Sequence, residues 1–352
     1  MRYLPTSRLT PGMALGQDIY DGAGRLLLGR HILLTEEQIS NLEFLGFPGA
    51  YVDDEFSRGI EIQQIVSPEV RRQALKIVYD LFHMDMRKQE PSEAELKLRK
   101  TVESVVDDVI CNGDIMCNIM DIKSYDDYIY YHSIHVGILS VVVGARLELS
   151  HDKLCQLAAA ALLHDIGKRF IDHDIVRGGK AHRSEKEQEV YRSHPKIGAE
   201  YLRETCRFPA DVYEGIMEHH ECYNGEGYPL GKKGGGIHLF ARIIRIADCY
   251  DAKVSAFPAQ KSLSPSEALE YVMALGDRWF DPDIVAVFAR KVAAYPIGCE
   301  VELSNGQHAV VARNFENFPL RPLVRVVETG EMLNMRDDEK ARAVTVGRLI
   351  VR

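Results

Sequence analysis

Histidine is concentrated in one stretch: of the chain's 13, ten lie between His132 and His238. Four segments there put imidazoles or carboxylates in phase with an apolar helical stripe, on which residues recur at i, i+4, i+7 and i+11. His132 extends the stripe Val136, Leu139, Val143 and Leu147. Asp165, with His164 beside it, continues Leu154, Leu157, Ala158, Ala161 and Leu162. His219 and His220 continue Val212 and Ile216, and Asp248 follows Phe240, Ala241 and Ile244. A buried carboxylate must pair, protonate or bind a metal, because an unpaired buried charge costs several kcal/mol or more. No Arg or Lys stands on those stripes to pair them, so a metal is the expectation. His194, before Pro195, adds a further candidate at a helix start. Six or seven N/O ligands exceed one structural zinc site. They fit two ions about 3.5–4 Å apart, bridged by a carboxylate and by water or hydroxide. Imidazole and carboxylate without thiolate favour Fe, Mn, Co, Ni or Zn.

The elements that must carry these residues follow from local signals. Ser150 is an N-cap for the segment ending at His164, Pro209 opens the one ending at His219, and a further helix runs from about Ile237. Residues 123–293 are almost all helical by period, with one Gly-rich loop at Asn224–Gly236. Upstream, residues 1–65 form a small α+β module. Asp21–Gly24 is a hairpin turn, Thr35 and Gln38 make a capping box, and Gly46 ends that helix. Residues 66–122 are a helical pair, Pro68 opening the first helix, and serve as a linker or a dimer contact. After Pro296 the pattern turns to short strands around Ser304-Asn305-Gly306, giving a β-rich module over 294–352. The expected fold class is mainly α, a helical bundle with small modules at either end.

Composition bounds the rest. At 352 residues with 46% hydrophobic and 27% charged side chains, the chain has ample material for packed cores and is not disordered. The net charge of −9 argues against a duplex nucleic-acid partner. Seven cysteines with no CxxC pair argue against a disulfide framework or a zinc knuckle. Cys222 and Cys249 are read as inert thiols, and His135, one turn after His132, as a packing or solvent-facing residue, with support of the ligand set from behind as the alternative. The longest apolar runs, such as Gly137–Ala145, are shorter than a membrane span, and the N-terminus lacks a secretory segment. A cytoplasmic protein is expected.

The motifs taken together resemble an HD-GYP domain, the bacterial branch of the HD metal-dependent phosphohydrolases. They are His164-Asp165-Ile166-Gly167-Lys168, His194-Pro195 with Gly198, His219-His220-Glu221, Gly225-Glu226-Gly227-Tyr228-Pro229, Ala241-Arg242-Ile243, and Ala247-Asp248 with Asp251-Ala252. The resemblance covers about 123–293 in family order and spacing. It implies an HD-type helical bundle and a phosphodiesterase that opens cyclic di-GMP to pGpG or GMP by a metal-bridging hydroxide. It implies that His132, His164, Asp165 and Asp248 hold one ion, and Asp165, His194, His219 and His220 the other. It gives Lys168 a phosphate contact, and makes Glu221, Gly225, Tyr228, Asp251 and Lys261 candidates for substrate contact. Fe or Mn is the expected metal, with Zn, Co or Ni as alternatives. The Gly225–Pro229 loop is a candidate docking site for diguanylate cyclase domains, and 66–122 a candidate homodimer contact.

The chain departs from the family pattern at several positions. Tyr128 stands where trinuclear members carry a Glu, which implies two metals here. Phe257-Pro258-Ala259-Gln260 replaces a segment that carries phosphate-gripping arginines; Lys253, Lys261, Lys232 and Lys233 are the available point charges. Asn224 and Asp172 replace the usual Asp and Pro. Two further readings stand beside hydrolysis of cyclic di-GMP: a docking module that binds a nucleotide or a diguanylate cyclase without turnover, motivated by Phe257 and Gln260, and an HD phosphohydrolase for another nucleotide.

Overall fold

The structure, a computed structural model, describes residues 1–84, 91–118, 127–178, 183–255 and 262–350. Its first part is a small sheet: β1 (Arg2–Pro5), β2 (Ala14–Leu15) and β5 (Gly49–Asp53) pair antiparallel in the order β1-β5-β2. Between them lie the hairpin β3 (Ile19–Tyr20) and β4 (Leu26–Leu28), and α1 (Glu36–Phe44). Thr35 and Gln38 close a reciprocal capping box on α1, which satisfies two of the donors a helix start leaves orphaned.

The bundle begins with α2 (Pro68–His83) and α3 (Pro91–Cys111). These are not a spacer: Leu75, Val78, Leu81, Leu98, Val102 and Val106 are buried in the same apolar core as the helices that follow. Next come α4 (Tyr128–Arg146) and α5 (His151–Leu163), then a 3-10 turn (Ile166–Phe170), α6 (His173–Arg177), α7 (Glu185–Arg192), α8 (His194–Thr205) and α9 (Ala210–Glu218). After the Gly-rich loop, α10 (Leu239–Val254), α11 (Pro265–Ala274) and α12 (Pro282–Lys291) complete it.

Helix α4 is the axis. Every residue from Tyr131 to Gly144 is buried, the signature of a helix enclosed on all sides. Contrary to the run-length expectation, α4 is long and apolar enough to cross a membrane by length and composition. The reason is that the polar residues among its apolar ones, His132, Ser133, His135 and Ser140, lie inside the bundle and do not end the helix.

The chain closes with an antiparallel sheet of β6 (Glu300–Leu303), β7 (His308–Arg313), β8 (Leu323–Val326), β9 (Met332–Asn334) and β10 (Val346–Ile350), in the order β10-β6-β7-β8-β9. Val301, Leu303, Val311 and Val324 join the bundle core, whereas Cys299 packs with Tyr3, Leu4, Tyr51 and Val52 of the first sheet. Buried Glu300 fastens that junction, 3.2 Å from Arg2 Nη1 and 3.0 Å from Arg8 Nη2. The β3–β4 hairpin reaches the start of α4, where the Tyr131 hydroxyl donates to the Tyr20 carbonyl at 2.8 Å.

Candidate metal centre

Four helix ends and the middle of a fifth helix converge on one buried point. His132 lies in the first turns of α4. His164 caps the end of α5, with Asp165 next. His194 opens α8, with Pro195 in its first turn, His219 caps α9, and His220 follows; Asp248 sits on α10. His132, His164, Asp165, His194 and His219 are at most 2% exposed.

The imidazoles are aimed by their outer nitrogens. Nδ1 lies 2.7 Å from a backbone carbonyl in each of three cases: His164 on Ala161, His194 on Tyr191, His219 on Ile216. His132 Nδ1 lies 2.8 Å from Asp251 Oδ2. A neutral ring that donates through Nδ1 turns an Nε2 lone pair inward. The Nε2 atoms of His194 and His219 then face each other at 3.3 Å, two acceptors with no proton between them. Around them His164 Nε2, Asp165 Oδ1 and His220 Nε2 are buried without a hydrogen-bond partner. Clustered orphan acceptors are costly unless a cation joins them.

Ligand-type atoms form two groups. Asp165, His194, His219 and His220 offer atoms within 4.8 Å of one another, as do His132, His164 and Asp165. Asp165 belongs to both. Asp248 adjoins the second group, its Oδ1 3.2 Å from His132 Nε2, and its Oδ2 is 3.8 Å from His220 Nδ1. The buried His/Asp cluster fits divalent metal binding.

The electrostatics agree. Burial and the neighbouring imidazoles hold His219 and His220 well below the usual histidine range, which keeps them neutral. Burial opposes charge on Asp165, yet Lys168 and the surrounding imidazoles hold it well below the carboxylate range. Burial also opposes charge on His132, but Asp248 and Asp251 outweigh it and lift the ring to about 9. In the metal-free protein a proton on His132 thus offsets part of the negative charge at the site.

Several expectations need correction. A cation does reach the stripes: Lys168 Nζ lies 2.5 Å from Asp165 Oδ2, and Arg245 on α10 approaches Asp248. Asp165 closes its helix, so its carboxylate meets a lysine one turn on that the phase argument placed outside the stripe. Asp251 is not a substrate contact. It is fully buried and binds His132 through one oxygen and His135, at 2.7 Å, through the other. His135 is therefore neither solvent-facing nor mere packing. Glu221 is not a substrate contact either, since its buried carboxylate accepts from the backbone N–H groups of Leu230, Gly231 and Lys232. Gly225, at φ +88, forms a turn. Tyr228 does reach the site, its ring stacked on His220 with centroids 4.8 Å apart. Lys232 is engaged by Glu218, and Lys253 lies over the Tyr271 ring. Phe257, Pro258, Ala259, Gln260 and Lys261 lie outside the described residues. Spacing could have revealed the Asp251–His135 pair: each follows a ligand-type residue by three positions on its own helix.

Comparison with known proteins supports this geometry. The HD domain family matches residues 118–284. Cyclic di-GMP phosphodiesterase PA4108 of Pseudomonas aeruginosa is 32% identical over 226 residues, 64% of this chain and 54% of that protein. Cyclic di-GMP phosphodiesterase response regulator RpfG of Xanthomonas campestris pv. campestris is 38% identical over 151 residues, 42% of this chain and 39% of that protein. The chain thus spans about half or less of the length of these relatives. Among solved structures, Bd1817, an HDG"Y"P protein from Bdellovibrio bacteriovorus, shares the fold at a TM-score of 0.52 and 18% identity, covering 82% of this chain and 97% of that one. The HD domain match, histidine and aspartate ligand types brought together from five helices, and relatives named cyclic di-GMP phosphodiesterases together support an HD-GYP domain in this chain.

Proposed function

We propose that this chain is a cytoplasmic metal-dependent phosphodiesterase that hydrolyses a cyclic dinucleotide, cyclic di-GMP foremost. The observation that carries the reading is the pair of ligand groups sharing Asp165 in a pocket of orphan acceptors. The activity for which both relatives are named points the same way. His132, His164, Asp165 and Asp248 would hold one divalent ion, and Asp165, His194, His219 and His220 the other, with Fe or Mn preferred by the donor set. When bound, such ions acidify a water and neutralise charge developing on phosphoryl oxygens.

The chain's own residues supply the rest. Asp165 is the shared carboxylate, held ionised inside the bundle. Lys168 stays protonated because Asp165 outweighs the cost of its burial, so it contributes fixed positive charge for the phosphate or the leaving 3′-oxygen. Tyr228 covers His220, and Glu221 ties down the loop that carries it. Tyr128 stacks on His132 with centroids 5.2 Å apart and planes at 16°. A phenol there is not a third carboxylate, which supports two ions over three.

Elemental analysis of anaerobically purified protein, run beside hydrolysis of cyclic di-GMP, 3′3′-cyclic GMP-AMP and pGpG, tests the proposal. Two ions per chain with turnover of a cyclic dinucleotide is the expected result. Metal-replete protein that hydrolyses no phosphodiester overturns it.

A further inference from the structure

Arg245 stands one helical turn before Asp248 on α10. Its side chain is 16% exposed. A guanidinium carries five N–H donors, and here they find little. Nη2 lies 3.9 Å from the Cys222 sulfur, a weak acceptor. Nε is buried and has no hydrogen-bond partner. The nearest ion-pair contact is Asp248 Oδ2 at 3.7 Å, and that oxygen also faces His220. The Trp279 and Phe280 rings flank the group at 6.0 and 5.8 Å.

Two other arginines of the bundle make a useful contrast. Arg242, on the same helix, bonds Asp281 Oδ2 at 2.5 Å and the Ile237 carbonyl at 3.1 Å. Arg169 bonds the carbonyls of Leu81 and Met84 and the Tyr201 hydroxyl. These two arginines spend their donors on named acceptors, whereas Arg245 keeps its Nε donor unspent. Lys168 supplies charge rather than a planar fork, and one of its donors is taken by Asp165. An almost enclosed guanidinium with open donors, beside a cluster of ligand-type groups, is the chemistry of an anion site; its planar fork matches two phosphate oxygens at once.

We infer that Arg245 is a binding residue for a phosphodiester, gripping a non-bridging phosphate oxygen of the substrate beside the Asp248 end of the cluster. The inference rests on the phosphodiesterase reading for its substrate, though not for its anion chemistry. It assigns directional recognition of phosphate to α10, within the described bundle.

The test compares wild type, Arg245→Gln, Arg245→Lys and Cys222→Ala. Binding of cyclic di-GMP and of inorganic phosphate to the metal-free chain is read by calorimetry. Metal content, melting temperature, KM and kcat are read on the metal-loaded protein. Arg245→Gln is expected to weaken binding of both probes at least tenfold and to raise KM by a similar factor, with metal content unchanged. Arg245→Lys should keep the fold and recover only part of the affinity, because an ammonium cannot present the fork. Cys222→Ala, which removes the one hydrogen bond Arg245 makes among the described residues, should leave phosphate binding as in wild type. Affinity within twofold of wild type in both Arg245 variants overturns the inference. So does metal loss in step with affinity, equal loss in Cys222→Ala, or a wild-type metal-free chain that binds neither probe. Failure of the phosphodiesterase reading is seen separately, as wild-type protein that binds these anions but turns none over.

Discussion

Gly167 lies so close to His194 that a Cβ at Gly167 would stand 2.0 Å from the His194 carbonyl oxygen and 2.8 Å from the Gly198 nitrogen. The turn after Asp165 and the first turn of α8 thus meet backbone to backbone. That contact sets the separation between Asp165 and His194, whose Oδ1 and Nε2 are 3.2 Å apart. Gly167→Ala should force the two segments apart. Overpacking of this kind costs about 1–3 kcal/mol or more, and a shift of even 1 Å spoils ligand geometry. The expected result is a lowered melting temperature together with loss of metal from the group containing His194. A Gly167→Ala protein with wild-type metal content would refute the claim that this contact spaces the ligands.

Lys168 and Asp165 form a buried ion pair, but their substitutions should separate. Removing Lys168 takes away a cation and leaves every proposed ligand in place. Lys168→Ala should therefore keep its ions while kcat falls about 100- to 1,000-fold, the range for loss of one preorganised charge at a reacting centre. Kinetics on protein of verified metal content check this. Unchanged kcat would assign Lys168 to packing alone.

Asp251 acts through His132 and His135 rather than on substrate. Its two oxygens fix two rings on α4 from α10, and loss of such an outer partner costs about 10- to 100-fold in metal affinity. Asp251→Asn preserves shape but puts an amide NH₂ against one of two Nδ1 groups. It should weaken metal binding by that factor, measured by competition with a chromogenic chelator, with KM unchanged once metal is saturating. A raised KM at full metal occupancy would instead return Asp251 to the substrate.

These residues mark how far the sequence could be read. Ligand types in phase with apolar stripes were visible at His132, Asp165, His219 and Asp248, because burying a carboxylate or imidazole on a core face needs a reason that periodicity exposes. The capping box at Thr35 and the proline-opened helices at Pro68 and Pro195 were legible for the same local reasons. What stayed hidden was contact between elements distant in sequence. Nothing near Glu221 says that its carboxylate collects the N–H groups of residues 230–232. Nothing near Arg245 says that its donors go unspent. Phase tells which way a side chain points; it does not tell what stands opposite.

Metal removal should reach beyond catalysis, because the proposed ligands come from α4, α8, α10 and the ends of α5 and α9. An ion that binds the folded chain alone stabilises it by about 2.7 kcal/mol when present at 100 times its dissociation constant. For a domain of this size each kcal/mol moves the melting temperature by about 2–4 °C. Stripping one ion should then lower it by about 5–10 °C, and loss of a second should add to that. Asp165→Ala supplies the control, since it deletes the carboxylate common to both groups. Its melting temperature should not respond to added Mn²⁺ or Fe²⁺, and its metal content and activity should fall together. The wild type should recover its higher value when either ion is restored after chelation. Equal melting temperatures for stripped and reloaded wild type, or a metal response retained in Asp165→Ala, would place the ions somewhere other than between these helices.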